Sequence, residues 1–123
     1  MSVPILKDGG FLLAAVQAAL SDAAWLGFRE DLAETLGRTR ARGVVIDVSV
    51  LDVLDSFATR MLRAIAQISR LRGAETVIVG IQPEVAFAMV QLGLSLNGIQ
   101  TALDLEEGLA VLRRRLLERA DGR

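Results

Sequence analysis

Ser56 is the residue of this chain whose type and position best suit a chemical reaction. It lies between a strand-like apolar run, Gly43 to Ser49, and a helix-like run, Phe57 to Arg72. The pattern therefore places a hydroxyl where a helix begins, beside free backbone N–H groups and the positive end of the helix dipole. Such a position tolerates a phosphate well. Ser56 is thus a candidate phosphorylation site, and Thr59, one turn further along, is the fallback.

The simpler interpretation of Ser56 is a helix N-cap, a position that serine favours and that contributes about 1 kcal/mol. The two interpretations are compatible, since a capping serine can be phosphorylated. A phosphate here is favoured by the helix start and by Arg60, and it is opposed by the carboxylates of Asp52 and Asp55. We therefore expect phosphorylation to disrupt a docked acidic or apolar partner surface more than it orders the loop.

Two further motifs invite a chemical interpretation. Asp47, Asp52 and Asp55 could hold Mg²⁺, which needs converging carboxylates; a small enzyme that uses this cluster is the competing hypothesis. Aspartates in loops more commonly form turns and caps, and the sequence favours that role.

The stretch Gly80-Ile81-Gln82-Pro83 could cradle a phosphate, but it lacks the glycine density and the lysine of a P-loop, so it is predicted to be a turn into a helix. No metal or cofactor is predicted.

Composition excludes several classes of function. The chain of 123 residues has no cysteine and no histidine, so disulfides, thiolate metal sites and a Ser-His-Asp hydrolase are excluded. Its 14 basic and 15 acidic residues give a net charge of −1, which does not favour nucleic acid as a partner. The apolar run Phe11 to Leu20 is too short to span a membrane and resembles a signal peptide poorly, so we expect a cytoplasmic protein.

Periodicity predicts an α/β fold in a single domain, residues 1–123, with an ordered core of about 3–117. Val3 to Lys7 and Phe11 to Gln17 are predicted to form an N-terminal hairpin around Asp8-Gly9-Gly10. Alternating helices and buried strands follow, which indicates a mixed, mostly parallel sheet and four helices. The helices are predicted near Ser21–Arg38, Ser56–Arg72, Pro83–Leu92 and Asp104–Leu117, with fraying from Arg119.

Loops that follow parallel strands meet at the carboxyl edge of the sheet. Asp47, the 52–56 loop and the 80–83 loop should therefore share one surface.

The Arg63–Arg70 stripe of the second helix is predicted to be a solvated face. The third helix is apolar nearly all round, so it is either deeply buried or part of an interface, which would suit the mean hydropathy of +0.43.

Taken together, these stretches resemble a STAS domain, and more narrowly the RsbS-type scaffold proteins of the bacterial stressosome. The resemblance extends from about Val3 to Leu117. It is carried by Pro4-Ile5-Leu6-Lys7, Val44-Val45-Ile46-Asp47, Asp55-Ser56-Phe57, Gly80-Ile81-Gln82-Pro83 and Thr101-Ala102-Leu103-Asp104-Leu105-Glu106. The length leaves no room for the N-terminal sensor domain of the RsbR-type paralogues, which also usually carry Asp-Thr in place of Asp-Ser.

The resemblance implies a protein without catalytic activity that binds an RsbT-type serine kinase and releases it when Ser56 is phosphorylated. It also implies co-assembly with RsbR-type sensor paralogues into a large homo- and hetero-oligomer, and a PP2C-type phosphatase that resets the site. A simple anti-sigma-factor antagonist that binds its kinase one to one is the alternative. The predicted partner-binding residues are Asp47, Asp52, Asp55, Phe57, Arg60, Gly80, Ile81, Gln82 and Pro83.

Overall fold

The computed structural model describes residues 2–121. Five strands form one sheet: β1 (Ile5–Asp8), β2 (Phe11–Ala15), β3 (Gly43–Asp47), β4 (Glu75–Val79) and β5 (Gln100–Ala102). Four helices accompany them: α1 (Asp22–Thr39), α2 (Ser56–Leu71), α3 (Pro83–Gln91) and α4 (Leu105–Asp121). The strand order is β1-β2-β3-β4-β5, with β1 antiparallel to β2 and all other pairs parallel. The predicted mixed, mostly parallel sheet with an N-terminal hairpin and four helices is confirmed.

The hairpin is shorter than the apolar pattern suggested. Asp8 pairs with Phe11, so Gly9 and Gly10 alone make the turn, and Gly9 has a positive φ of 62°. The strand β2 ends at Ala15, two residues before the predicted end, and its pairing with β1 already stops at Ala14, opposite Ile5.

Two helix starts match their predicted caps. Ser21 caps α1, with its Oγ 3.1 Å from the backbone N of Ala24. At α4, Asp104 accepts from the Glu107 N–H at 2.9 Å, and the Glu107 carboxylate accepts from the Leu103 N–H at 2.8 Å. This reciprocal pair is the predicted capping box, except that the Glu107 carboxylate accepts from the N–H of Leu103 and not from that of Asp104 itself.

Two predictions about arginines were wrong. Arg63 donates to the Ser95 carbonyl at 2.6 Å and Arg70 to the Gly98 carbonyl at 3.3 Å, so this face of α2 holds the loop after α3 and is not simply solvated. The helix α4 continues through Asp121, where fraying was expected from Arg119. The reason is an ion pair, because Arg119 lies 3.2 Å from the buried carboxylate of Glu75 on β4. Residues 122 and 123 lie outside the described residues.

The core lies on both faces of the sheet. Alternate residues of β3 point to opposite sides, so Val44 and Ile46 belong to the buried cluster that α1, α2 and α3 also line, while Val45 belongs to the cluster that α4 lines. All three are almost fully buried, which confirms the doubly buried strand predicted from the apolar run.

In α3, only Val85 and Met89 are buried. Because Phe87, Val90 and Leu92 are exposed, this segment is not deeply buried, and of the two predicted alternatives the interface remains. Within residues 2–121, no helix has both the length and the apolarity needed to cross a membrane.

The helix α4 approaches the sheet closely at Gly108. A Cβ atom at this position would lie 2.6 Å from Cγ1 of Val79, and a valine methyl cannot swing aside as a long side chain can. Gly27 in α1 offers a matched contrast, because a Cβ there would have no heavy atom within 4 Å. The two helical glycines should therefore respond in opposite directions to the same substitution.

We predict that Gly108→Ala lowers the free energy of unfolding by about 1–3 kcal/mol through overpacking. Gly27→Ala should raise it by about 0.5–1 kcal/mol, because alanine loses less backbone entropy on entering a helix. Urea unfolding followed by circular dichroism measures both changes. If Gly108→Ala is also stabilising, α4 does not depend on this close approach.

Candidate functional site

The carboxyl ends of three neighbouring strands lie side by side. In the sheet register, Asp47 at the end of β3 pairs with Ala15 of β2 and with Val79 of β4. The pairing continues one step further, since Val16 donates to the Asp47 carbonyl at 2.9 Å and Val48 donates to the Val79 carbonyl at 3.0 Å. The loops that leave β3 and β4 are thus brought to one edge of the sheet, as predicted.

Asp47 forms a turn. Its Oδ1 accepts the Ser49 N–H at 2.9 Å, and the Leu51 N–H donates to the Val48 carbonyl at 3.0 Å. This hydrogen bond between an aspartate and the backbone two residues on is the turn-forming role that aspartate commonly takes. The carboxylate therefore shapes the first part of the β3–α2 loop.

The loop after β4 is fastened to that turn. Gly80 has a φ of 82°, and a Cβ atom there would lie 2.7 Å from Cβ of Ser49, so the two backbones approach each other closely. Gln82 then donates from Nε2 to the Ser49 carbonyl at 2.8 Å. The predicted turn into a helix is confirmed, with Pro83 as the first residue of α3. Ser49, which receives both contacts, was missed from the sequence, because only the fold brings the two loops together.

The cap of α2 is Asp55 and not Ser56. Asp55 has extended backbone angles (φ −79°, ψ −177°), and its Oδ1 accepts the Ala58 N–H at 2.8 Å. Its carbonyl accepts the Thr59 N–H at 2.9 Å as the first helical bond. Both residues suit an N-cap, and the backbone places the boundary one position earlier than the sequence suggested. Ser56 is therefore the first helical residue, exposed, and its hydroxyl is not needed for the cap.

Thr59 is a poor fallback acceptor. Its side chain has 0% exposure, and its Oγ1 donates to the Asp55 carbonyl at 2.8 Å. A kinase would have to open the first turn of α2 to reach this hydroxyl. Of the two hydroxyls at the helix start, only that of Ser56 lies at the surface.

The remaining predicted residues of α2 form a pair. The guanidinium carbon of Arg60 lies 5.5 Å from the ring centroid of the half-buried Phe57, within the range of a cation–π contact. Arg60 is four residues after Ser56, so the two share a helix face. The described residues 2–121 place no basic group within ion-pair distance of Asp52 or Asp55.

The geometry does not support a magnesium site. In the part of the chain that the structure describes, no group of three or more His, Cys, Asp or Glu side chains is placed to hold a metal ion. Asp47 and Asp55 each accept a backbone N–H at a different point of the loop.

Two exposed valines were also missed from the sequence. Val50 and Val53 are 58% and 70% exposed in the loop that leads to Ser56. Val48, Leu51 and Leu54, which lie three positions apart in the same loop, are buried. This spacing was the signal in the sequence that could have shown that the valines between them face solvent.

Comparison with known proteins gives consistent results. The sequence model of the STAS domain family matches residues 2–108. A structure of RsbS from Moorella thermoacetica, in a variant with a serine replaced by glutamate, superposes with a TM-score of 0.80 at 37% identity, covering 93% of this chain and 97% of that one. A chain from a structure of the stressosome, described as a signal integration and transduction hub, gives a TM-score of 0.78 at 38% identity, covering 92% and 98%.

The curated relatives are longer proteins. The RsbT co-antagonist protein RsbRA of Bacillus subtilis (strain 168) is 30% identical over 80 residues, which is 65% of this chain and 29% of the relative. The chain thus corresponds to less than a third of the length of this relative.

We predict that Asp55→Ala lowers the free energy of unfolding by about 1–2 kcal/mol, because it removes the cap of α2. Asp55→Asn should lose much less, since asparagine caps equally well without the charge. Asp52→Ala, which removes an exposed carboxylate with no capping bond, should change stability by less than about 0.5 kcal/mol. Chemical denaturation of the three variants checks this order. Equal losses in Asp55→Ala and Asp55→Asn would show that the charge, and not the hydrogen bond, stabilises the helix start.

Proposed function

The chain belongs to the STAS domain family, and we propose that it acts as a phosphoswitch scaffold of a bacterial stressosome, without catalytic activity of its own. In this proposal the whole chain acts as one STAS domain in the cytoplasm, and its unphosphorylated form holds a serine kinase of the RsbT type. The kinase joins the γ-phosphorus of ATP to the Ser56 Oγ. The bond to ADP breaks, and the hydroxyl proton passes to a base of the kinase. The phosphorylated chain then releases the kinase to start the general stress response.

The observation that carries the proposal is the position of Ser56. Its hydroxyl is exposed at the first helical residue, while the neighbouring Asp55 makes the cap. A kinase can therefore modify Ser56 without breaking a structural hydrogen bond of the helix start. The phosphate gains from the helix dipole, yet it enters a surface that already carries the carboxylates of Asp52 and Asp55. The modification thus changes the charge of the partner-binding surface strongly at little cost to the fold.

The relatives support this function. RsbS and the stressosome chain resemble this chain over nearly its whole length at 37% and 38% identity. The glutamate in the RsbS variant adds a negative charge in place of a hydroxyl, the same kind of change that phosphorylation makes. The name of RsbRA, a co-antagonist of RsbT, supports both an RsbT-type kinase and an RsbR-type paralogue as partners. We propose a PP2C-type phosphatase as the enzyme that removes the phosphate.

Assembly is supported by the surface of α3. Phe87, Val90 and Leu92 are 67%, 76% and 70% exposed, which is unusual for three large apolar side chains so close in sequence. We propose that this face packs against RsbR-type paralogues or further copies of the chain in the stressosome.

We predict that the wild-type protein gains one phosphate when it is incubated with ATP, Mg²⁺ and the serine kinase encoded nearest to it. Ser56→Ala should gain none, because the acceptor hydroxyl is absent. Ser49→Ala, which removes another exposed serine of the same loop, should be phosphorylated like the wild type. Intact-mass spectrometry distinguishes the three. Equal phosphorylation of Ser56→Ala and wild type would contradict the assignment of the site.

We also predict that mixing the protein with an RsbR-type paralogue from the same organism gives a complex far larger than a heterodimer. Sedimentation velocity measures its mass directly. Val90→Asn should reduce assembly, because it places an amide in the apolar contact, whereas Leu71→Asn, at an exposed leucine on α2, should not. A stable monomer or dimer in the presence of the paralogue would favour the one-to-one antagonist instead.

A further inference from the structure

The β3–α2 loop buries every third residue. Val48, Leu51 and Leu54 are 1%, 4% and 3% exposed, and they anchor the loop in the core. The intervening Val50 and Val53 are 58% and 70% exposed. An apolar side chain loses the free energy of its burial when it stays in water, so two such residues in one short loop indicate a surface that a partner covers.

Hydrogen bonds and buried side chains fasten the loop on both sides of these valines. The bond between Asp47 and the Ser49 N–H and the bond from Gln82 to the Ser49 carbonyl both hold its start. The buried side chains of Leu51 and Leu54 anchor its middle in the core. The capping bond of Asp55 holds its end. A preformed surface of this kind loses little conformational entropy when it binds.

The charges around the valines indicate what kind of surface fits them. Asp52 lies between them in sequence and is exposed, and residues 2–121 supply it with no basic partner within ion-pair distance. A complementary surface therefore has an apolar patch that covers Val50 and Val53 and a basic group that meets Asp52. Val53 is only three residues before Ser56, a chain distance of at most about 11 Å. An enzyme that takes the Ser56 hydroxyl into its active site therefore comes close to this part of the loop.

We infer that Val50 and Val53, with Asp52, are the docking contacts that select the kinase acting on Ser56. The inference rests on the proposed function. The kinase brings an apolar patch with a basic rim to the valines, while its nucleotide site faces Ser56. After transfer, the new phosphate lies against the phosphates of bound ADP, so like charges meet there while the valine contact itself is unchanged. Docking and release thus use neighbouring but separate parts of the loop.

The test compares Val50→Thr/Val53→Thr with Leu71→Thr, which makes a similar change at an exposed leucine of α2 that lies outside the proposed contacts. The double variant should bind the isolated kinase about tenfold more weakly, because two apolar contacts gain a hydroxyl. Its KM for Ser56 phosphorylation should rise by a similar factor, with kcat nearly unchanged. Leu71→Thr should match the wild type in both. Threonine has the shape of valine, and melting temperatures confirm that the variants are folded.

Asp52→Lys provides an independent second variant. It should also weaken kinase binding, and the difference from wild type should shrink as salt is raised. Unchanged affinity and KM in Val50→Thr/Val53→Thr, with Ser56 still phosphorylated, would overturn the docking inference and leave the proposed function standing. A wild-type protein that neither binds the kinase nor accepts phosphate at Ser56 would overturn both.

Discussion

The central strand β3 is the constraint on which the rest of this structure depends. Its residues Val44, Val45 and Ile46 are buried on both faces of the sheet, and it pairs in parallel with β2 and β4 in an unbroken register. Because a shift of one residue would exchange the two faces of β3, the register is strongly specified. The same register places the ends of three strands side by side, and the loops that carry the candidate site begin there. The site is therefore positioned by the packing and register of the central strands.

Backbone contacts between loops then convert that alignment into a defined surface. The close approach of Gly80 to Ser49 and the bond from Gln82 fasten the loop after β4 to the loop after β3. Gly80 and Gln82 were predicted to bind partners directly, but the structure also gives them a role in positioning. A substitution at either residue can therefore weaken partner binding by releasing the 49–55 segment, even if the partner never touches it.

The features that followed from the sequence were those encoded locally. The caps at Ser21 and Asp104, the turn at Asp47 and the doubly buried β3 depend on residues within a few positions of one another, and all were predicted. The errors came from contacts distant in sequence. Arg63 reaches a carbonyl 32 residues away, and Arg119 reaches Glu75 at a separation of 44. No periodicity within α2 or α4 contains that information.

The cap of α2 was misassigned for a different reason. Asp55 and Ser56 are both good N-cap residues, so propensity alone could not choose between them. The extended angles of Asp55 settle the boundary, and they also separate two roles that the sequence had combined in one residue. Asp55 stabilises the helix, which leaves Ser56 available for modification. The exposure of Val50 and Val53 was equally hidden, because it depends on which residues of the loop turn toward the core.

This separation of roles bears on how a phosphate at Ser56 could act. The loop is already held by the bonds of Asp47, Gln82 and Asp55, none of which involves the Ser56 side chain. A phosphate therefore has no disordered segment to order, and the cap that it would otherwise supply is occupied. What it changes is charge: the exposed carboxylates of Asp52 and Asp55 are joined by a group that carries about −1.5 to −2. The guanidinium of Arg60, which lies 5.5 Å from the ring centroid of Phe57, is the basic group of α2 one turn away from this charge. On these grounds the proposed switch would work through the electrostatics of a fixed surface and not through a change of fold.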